Sequence, residues 1–78
     1  MKMKASQLQD LIIDSLVRTV GGTRRQWRIA VGPIRMLDEK THPHCNWSVS
    51  PAGSYRENAT IERLLDDVRL THPSIRAG

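Results

Sequence analysis

The sequence lacks most of the features by which a small protein is stabilised or anchored without a large core. Cys45 is its only cysteine, so no disulfide bond can form within the chain. It has no phenylalanine, and no continuous apolar run approaches the roughly 18 residues of a membrane span or the shorter core of a signal peptide. We therefore expect a cytoplasmic protein with no membrane contact, since a single reduced thiol is ordinary in that compartment.

The shortness of the chain limits the stability that its core can supply. Seventy-eight residues make one domain. A domain of this size buries only about 60% of the surface that its unfolded chain exposes. Small domains often compensate with a metal or a partner subunit. We predict a single domain over residues 1–78, with an ordered core over residues 5–72 and a loose tail over residues 73–78.

The segment Ser6–Val20 is predicted to form a helix. Ser6 and Gln9 have the spacing of a capping box, and Gly21 and Gly22 favour a helix end because glycine adopts the left-handed conformation without steric cost. At about 100° per residue, the apolar residues of this segment cover an arc of roughly 240°, wider than the single stripe of a surface helix. The helix is therefore apolar on two sides.

A helix that is apolar on two sides favours self-association. In a monomer of this size one flank would contact water, and burial of each aliphatic side chain contributes about 1.5–3 kcal/mol. A homodimer, or another protein partner, would cover that flank. The alternative is that the sheet and the last helix cover both flanks within one chain. The residues predicted to self-associate are Leu8, Leu11, Ile13 and Val17.

Two segments in the middle of the chain have the alternating pattern of strands. Residues 26–31 place Trp27, Ile29 and Val31 on one side. Residues 45–50 place Cys45, Trp47 and Val49 on one side and Asn46 on the other, outward side. The predicted core includes Trp27, Ile29, Val31, Trp47 and Val49. Between the two segments, Gly32-Pro33 indicates either a bulge or a turn that begins a further strand, in which Ile34 and Met36 would point inward.

The last helix has the clearest signals. Ser54 and Glu57 form a capping box, and His72-Pro73 ends the helix after Thr71. Its single apolar stripe consists of Ile61, Leu64, Leu65 and Val68. The sequence thus predicts an α+β fold: a small two- or three-stranded antiparallel sheet flanked by an N-terminal and a C-terminal helix, in the order α-β-(β)-β-α.

An arginine-rich stretch suits a polyanionic partner. The chain carries a net charge of +4, and residues 15–37 contain five arginines and no acidic residue. Arginine forms bidentate bonds with phosphate, and each neutralised phosphate adds salt-sensitive affinity. The predicted anion-binding or nucleic-acid-binding residues are Arg24, Arg25, Arg28 and Arg35. The alternative reading is a set of surface arginines that keep a small domain soluble.

A second cluster, His42, His44 and Cys45, has the residue types of a zinc or copper site. A closed zinc site needs four ligands, however, and the only other histidine or cysteine is His72. The alternative is a strand-entry loop in which Cys45 packs as a small core residue. A thiol nucleophile is disfavoured too, because neighbours in a strand point apart and catalytic bases usually come from elsewhere in a fold.

Three functional hypotheses follow from these patterns. The first is a non-enzymatic interaction module that associates with itself or with another protein. The second is a sequence-independent nucleic-acid-binding protein that uses the arginines. The third, least favoured, is a metal- or thiol-dependent enzyme. We predict no catalytic residue and no cofactor.

Overall fold

A computed structural model describes residues 2–78, which form three helices and a two-stranded antiparallel sheet. Met1, the first residue of the predicted domain, lies outside them. In chain order the elements are α1 (Ala5–Thr19), α2 (Arg24–Val31), β1 (Arg35–Met36), β2 (Trp47–Ser48) and α3 (Tyr55–Thr71). The predicted α+β class, with a helix toward each terminus and a small antiparallel sheet, is confirmed.

Helix α1 lies close to its predicted bounds but begins at a different cap. Lys4 is the N-cap, and its backbone N–H donates to the side-chain oxygen of Gln7 at 2.9 Å, so the capping box predicted at Ser6 and Gln9 is wrong. The predicted end is confirmed. Gly21 has a φ of 99°, a region that favours glycine, and its N–H bonds to the carbonyl oxygen of Val17 at 3.1 Å.

The strand predicted over residues 26–31 is wrong, because these residues belong to α2. The hydroxyl of Thr23 caps this helix by accepting a bond from Gln26 N at 3.1 Å, and Gly32, with a φ of 71°, ends it. Trp27 and Val31 are four residues apart, a spacing that fits both the two-residue period of a strand and about one turn of a helix. Ile29, predicted inward, is instead 65% exposed.

The sheet is smaller than predicted. Gly32-Pro33 forms the end of α2 and a linker rather than a bulge or a turn between two strands, and β1 pairs with β2 over only two residues each. The register places Arg35 opposite Ser48 and Met36 opposite Trp47. Met36 was expected inward and is exposed. Ile34 and Cys45 are half-buried and pack against the core, while Trp47 and Val49 are buried as predicted.

The core is built around α1, which contacts both α2 and α3. Leu8 and Ile13 are completely buried, and Leu11 and Val17 are half-buried against the same cluster. The buried apolar residues are Leu8, Ile12, Ile13, Leu16, Trp27, Ala30, Val31, Trp47, Val49, Ile61, Leu65, Val68 and Ile75. Both flanks of α1 are therefore covered within one chain.

The C-terminal tail, predicted to be loose, packs against the domain. Ile75 is buried, and both of its backbone groups bond to the Asn46 side chain: Ile75 N donates to Oδ1 at 2.9 Å, and Nδ2 donates to the Ile75 carbonyl at 2.6 Å. Arg76 then pairs with Lys4 in an isolated parallel bridge. Asn46 itself was predicted to face outward and is buried instead, because its amide matches the backbone of the tail.

Helix α3 follows its prediction closely. Ser54 is the N-cap, and the capping box with Glu57 is present in both directions, with Ser54 N donating to Glu57 at 2.8 Å and Glu57 N donating to the Ser54 hydroxyl at 3.2 Å. The helix ends at Thr71. Its apolar stripe faces the core, as the single-sided spacing indicates.

Candidate nucleic-acid interface

Helix α2 presents most of the predicted arginines at the surface. Its inward side consists of Trp27, Ala30 and Val31, which are buried at the spacing i, i+3 and i+4. Trp27 also fixes the helix to the preceding turn, because its indole N–H donates to the Gly21 carbonyl at 2.7 Å. With that side turned inward, the remaining residues are exposed, and they are Arg24, Arg25, Gln26, Arg28 and Ile29.

Arg24 forms ion pairs with two carboxylates of α1. Its guanidinium pairs with Asp10 at 3.3 Å and with Asp14. Exposed ion pairs of this kind contribute only about 0–1 kcal/mol, so their main effect is to orient α2 along α1 and to compensate the Arg24 charge. At the other end of α2, the Gln9 amide donates to the Gly32 carbonyl at 2.8 Å. Because its charge is already paired, Arg24 is not part of the surface proposed below, and its predicted role in anion binding stays a prediction.

The opposite side of α2 is held by the first turn of α3. The Gln26 amide donates to Glu57 Oε2 at 2.9 Å, while Glu57 Oε1 accepts from the Ser54 backbone. These bonds lower the pKa of the Glu57 carboxyl group below its usual range, and the bond from Gln26 has the largest effect. The ionised carboxylate therefore joins the cap of α3 to the arginine-bearing helix.

The Glu57 carboxylate gives the first prediction. Its lowered folded-state pKa means that its ionisation stabilises the fold above the pKa of the unfolded chain, and that this contribution is lost as pH falls through the folded-state value. Glu57→Gln mimics the protonated acid. Wild type should therefore be more stable than this variant at neutral pH, and the difference should vanish in acid. Urea unfolding at several pH values measures it, with Glu62→Gln on the same helix as a control for net charge.

Arg25, Arg28 and Arg35 differ from Arg24 in their surroundings. The ion pairs within residues 2–78 involve none of these three side chains, and all three are exposed. Arg25 and Arg28 share α2, whereas Arg35 lies on β1 opposite Ser48. The structure therefore brings two of the predicted arginines onto one exposed helix with uncompensated charge and leaves the third on a separate element.

The residues predicted to self-associate do not form a surface. Leu8 and Ile13 are 0% exposed and cannot contact a second subunit in the folded protein, and Leu11 and Val17 are largely covered. The physical reason is α2. A segment expected to be a strand forms a further helix that packs on α1, so one small chain covers more apolar surface than the sequence pattern indicated.

The histidine and cysteine cluster does not converge. His42 and His44 are exposed in the loop before β2, and the Cys45 thiol donates to the Trp47 carbonyl at 3.3 Å. Nδ1 of His42 pairs with the Thr41 hydroxyl at 2.9 Å. Within residues 2–78 no group of three or more His, Cys, Asp or Glu side chains is placed to hold a metal ion. The predicted metal set therefore has no ligand geometry in this part of the chain.

Several features of this surface were missed by sequence reasoning. Tyr55, at the start of α3, is 89% exposed, and no pattern in the sequence indicated an exposed aromatic side chain there. Asp10 and Asp14, the carboxylate partners of Arg24, lie at i, i+4 and so share one face of α1. That spacing could have indicated a paired acceptor for an arginine once α2 was known to be a helix. No pattern in the sequence indicated that Asn46 would be buried and hydrogen-bonded to the C-terminal tail.

The fold and this surface define a small basic α+β protein with an arginine-bearing helix at its surface. No family model, curated protein or solved structure matches the chain. No helix formed by residues 2–78 combines the length and apolar character that a bilayer crossing requires.

Proposed function

We propose that this protein is a non-enzymatic binding module whose helix α2 contacts the phosphate backbone of nucleic acids. The observation that carries the proposal is the placement of Arg25 and Arg28 on one exposed helix, with no carboxylate paired to either among the described residues. Two guanidinium groups one turn apart on a rigid element supply bidentate donors to a phosphate chain. Arg35 on β1 and Arg18 at the end of α1 are further exposed cations.

The charge distribution supports the same partner. A net charge of +4 and the acid-free stretch from residue 15 to residue 37 attract polyanions over a distance set by ionic strength. Contacts of this kind carry no sequence information, so the expected dissociation constant is that of non-specific binding, about 10⁻⁴–10⁻⁶ M at physiological salt. The protein would hold the backbone and recruit or protect nucleic acid without choosing a sequence.

The proposal contains no catalytic step, no cofactor and no dimer interface. The Cys45 thiol donates to a backbone carbonyl rather than to His42 or His44, which supports a proposal without a thiol nucleophile. Self-association through α1 is left out because Leu8 and Ile13 are buried.

The test is a double substitution, Arg25→Ala with Arg28→Ala. Binding to a labelled 20-base-pair duplex is measured by fluorescence anisotropy at several salt concentrations, where log K falls by about 0.9 per neutralised phosphate for each unit of log salt. Loss of two phosphate contacts should weaken binding at low salt and reduce the magnitude of that slope by about two.

A matched control removes the same charge from another surface. Arg56→Ala with Arg63→Ala takes two exposed arginines from α3. This variant should keep most of the affinity and the slope of the wild-type protein. The proposal is rejected if wild type shows no salt-dependent binding at low ionic strength, or if the two double variants lose affinity equally.

A further inference from the structure

The outermost ridge of α2 combines a cation with an apolar side chain. Arg25 and Ile29 are four residues apart and therefore adjacent on the helix surface, directly opposite the buried side. Ile29 is 65% exposed, although its neighbours Ala30 and Val31 are buried. Arg28 lies beside the ridge toward the α1 side, on which Arg24 is paired. The ridge can thus make apolar contact at its centre and phosphate contact at its edge.

This surface is poorly suited to a single strand. Proteins that hold single strands stack the bases on exposed aromatic side chains. Trp27 and Trp47 are buried, with 3% and 1% exposure. Tyr55 is exposed, but it lies roughly 200° around α3 from Glu57, the residue that contacts α2, and so points away from the arginines. The ridge itself offers no aromatic side chain on which bases could stack.

The dimensions of α2 fit one type of duplex. A helix with its side chains is about 10–12 Å across, and eight residues extend for about 12 Å. The major groove of B-form DNA is roughly 12 Å wide and presents thymine methyl groups that contact apolar side chains. The major groove of A-form RNA is too narrow and deep for a helix. A partly exposed helix with Ile29 on its outer ridge therefore matches duplex DNA better than duplex RNA.

We infer that α2 enters the major groove of B-form DNA, with Ile29 turned toward the base edges and Arg25 and Arg28 on the phosphates that border the groove. This inference rests on the proposed function and names its substrate class. Arg24, through Asp10 and Asp14, and Gln26, through Glu57, hold the helix in the orientation that exposes the ridge. Apolar contact with thymine methyl groups adds a preference for DNA without selecting a long sequence.

The experiment compares four labelled ligands of the same sequence: duplex DNA, duplex RNA, single-stranded DNA and single-stranded RNA. Anisotropy titrations of the wild-type protein at low salt should give an affinity for duplex DNA about tenfold above that for duplex RNA. Ile29→Asn keeps all charges. It should remove most of this preference for DNA and leave the salt slope unchanged, because the phosphate contacts remain.

Leu70→Asn is the matched control, since Leu70 is an exposed aliphatic residue near the end of α3. It should keep the preference for duplex DNA. Tighter or equal binding of RNA or single strands, with the Arg25 and Arg28 variant still weakened, overturns the groove inference but leaves the proposed function standing. Absence of salt-dependent binding to all four ligands overturns both. Equal effects of Ile29→Asn and Leu70→Asn also overturn the inference.

Discussion

Trp47→Ala is expected to unfold a large fraction of the protein at room temperature. The side chain is 1% exposed, and truncation of a buried tryptophan costs about 3–5 kcal/mol through lost burial and the cavity that remains. The indole N–H also donates to the His72 carbonyl at 2.8 Å, and the ring carries the guanidinium of Arg69 at 5.7 Å from its centre. A domain of 78 residues has little stability in excess of such a loss, since a single core of this size rarely supplies more than about 3–5 kcal/mol.

The conservative variant Trp47→Phe separates packing from the hydrogen bond. It keeps an aromatic ring in the core and leaves the His72 carbonyl without its donor, so it should be destabilised by less than Trp47→Ala. Denaturant unfolding followed by circular dichroism gives the free energy of unfolding of each variant. A free energy of unfolding for Trp47→Ala within about 1 kcal/mol of the wild-type value would contradict the described core, because truncation of a buried tryptophan costs more than this.

Asn46→Ala should have the second largest effect. The Asn46 amide bonds to both backbone groups of Ile75 and also donates to Glu39 Oε1 at 3.1 Å. Its removal leaves a buried N–H and a buried carbonyl without partners, at a cost of about 1–3 kcal/mol for each group. The tail would detach and expose Ile75, which is otherwise buried. We therefore expect both global destabilisation and local opening at residues 74–78.

Amide hydrogen exchange distinguishes this local opening from a general weakening. In Asn46→Ala the Ile75 and Arg76 amides, which bond to Asn46 Oδ1 and the Met3 carbonyl, should exchange faster relative to amides in the middle of α3. Ser48→Ala, two residues further along in β2, is the control and should leave the tail protected. Unchanged exchange at Ile75 in the Asn46 variant would show that the tail is not held by this side chain.

Secondary structure was predictable from the sequence where an element is long and several local features agree, and was wrong where an element is short. Helix α3 has a capping box, a 17-residue length and a sustained stripe, so several independent features agree. Helix α2 has only eight residues, over which Trp27 and Val31 satisfy both a strand and a helix period. The feature that indicates a helix is the N-cap at Thr23, whose hydroxyl accepts a single hydrogen bond from Gln26 N. The alternating apolar pattern favoured a strand over this helix start.

The candidate site was predicted in composition but not in geometry. The acid-free run of arginines was visible in the sequence, and the structure places three of them on α2. That Arg24 is paired could not be deduced, because Asp10 and Asp14 meet it only when α2 packs along α1. The expectation that α1 would have an uncovered apolar flank was wrong for the same reason: the area available to cover α1 depends on long-range packing that no local pattern records. Self-association itself stays a prediction.

The Trp27 side chain is buried on the inner side of α2 and donates to the Gly21 carbonyl, so its fluorescence reports on the position of this helix. Trp27 and Trp47 are the only indoles in the chain, so a protein carrying Trp47→Phe has a single fluorophore, located on the inner side of the arginine-bearing helix. The emission of Trp27 depends on whether α2 stays packed against α1. Tryptophan fluorescence can therefore follow ligand binding to α2 and local detachment of α2 in unlabelled protein, separately from unfolding of the whole domain.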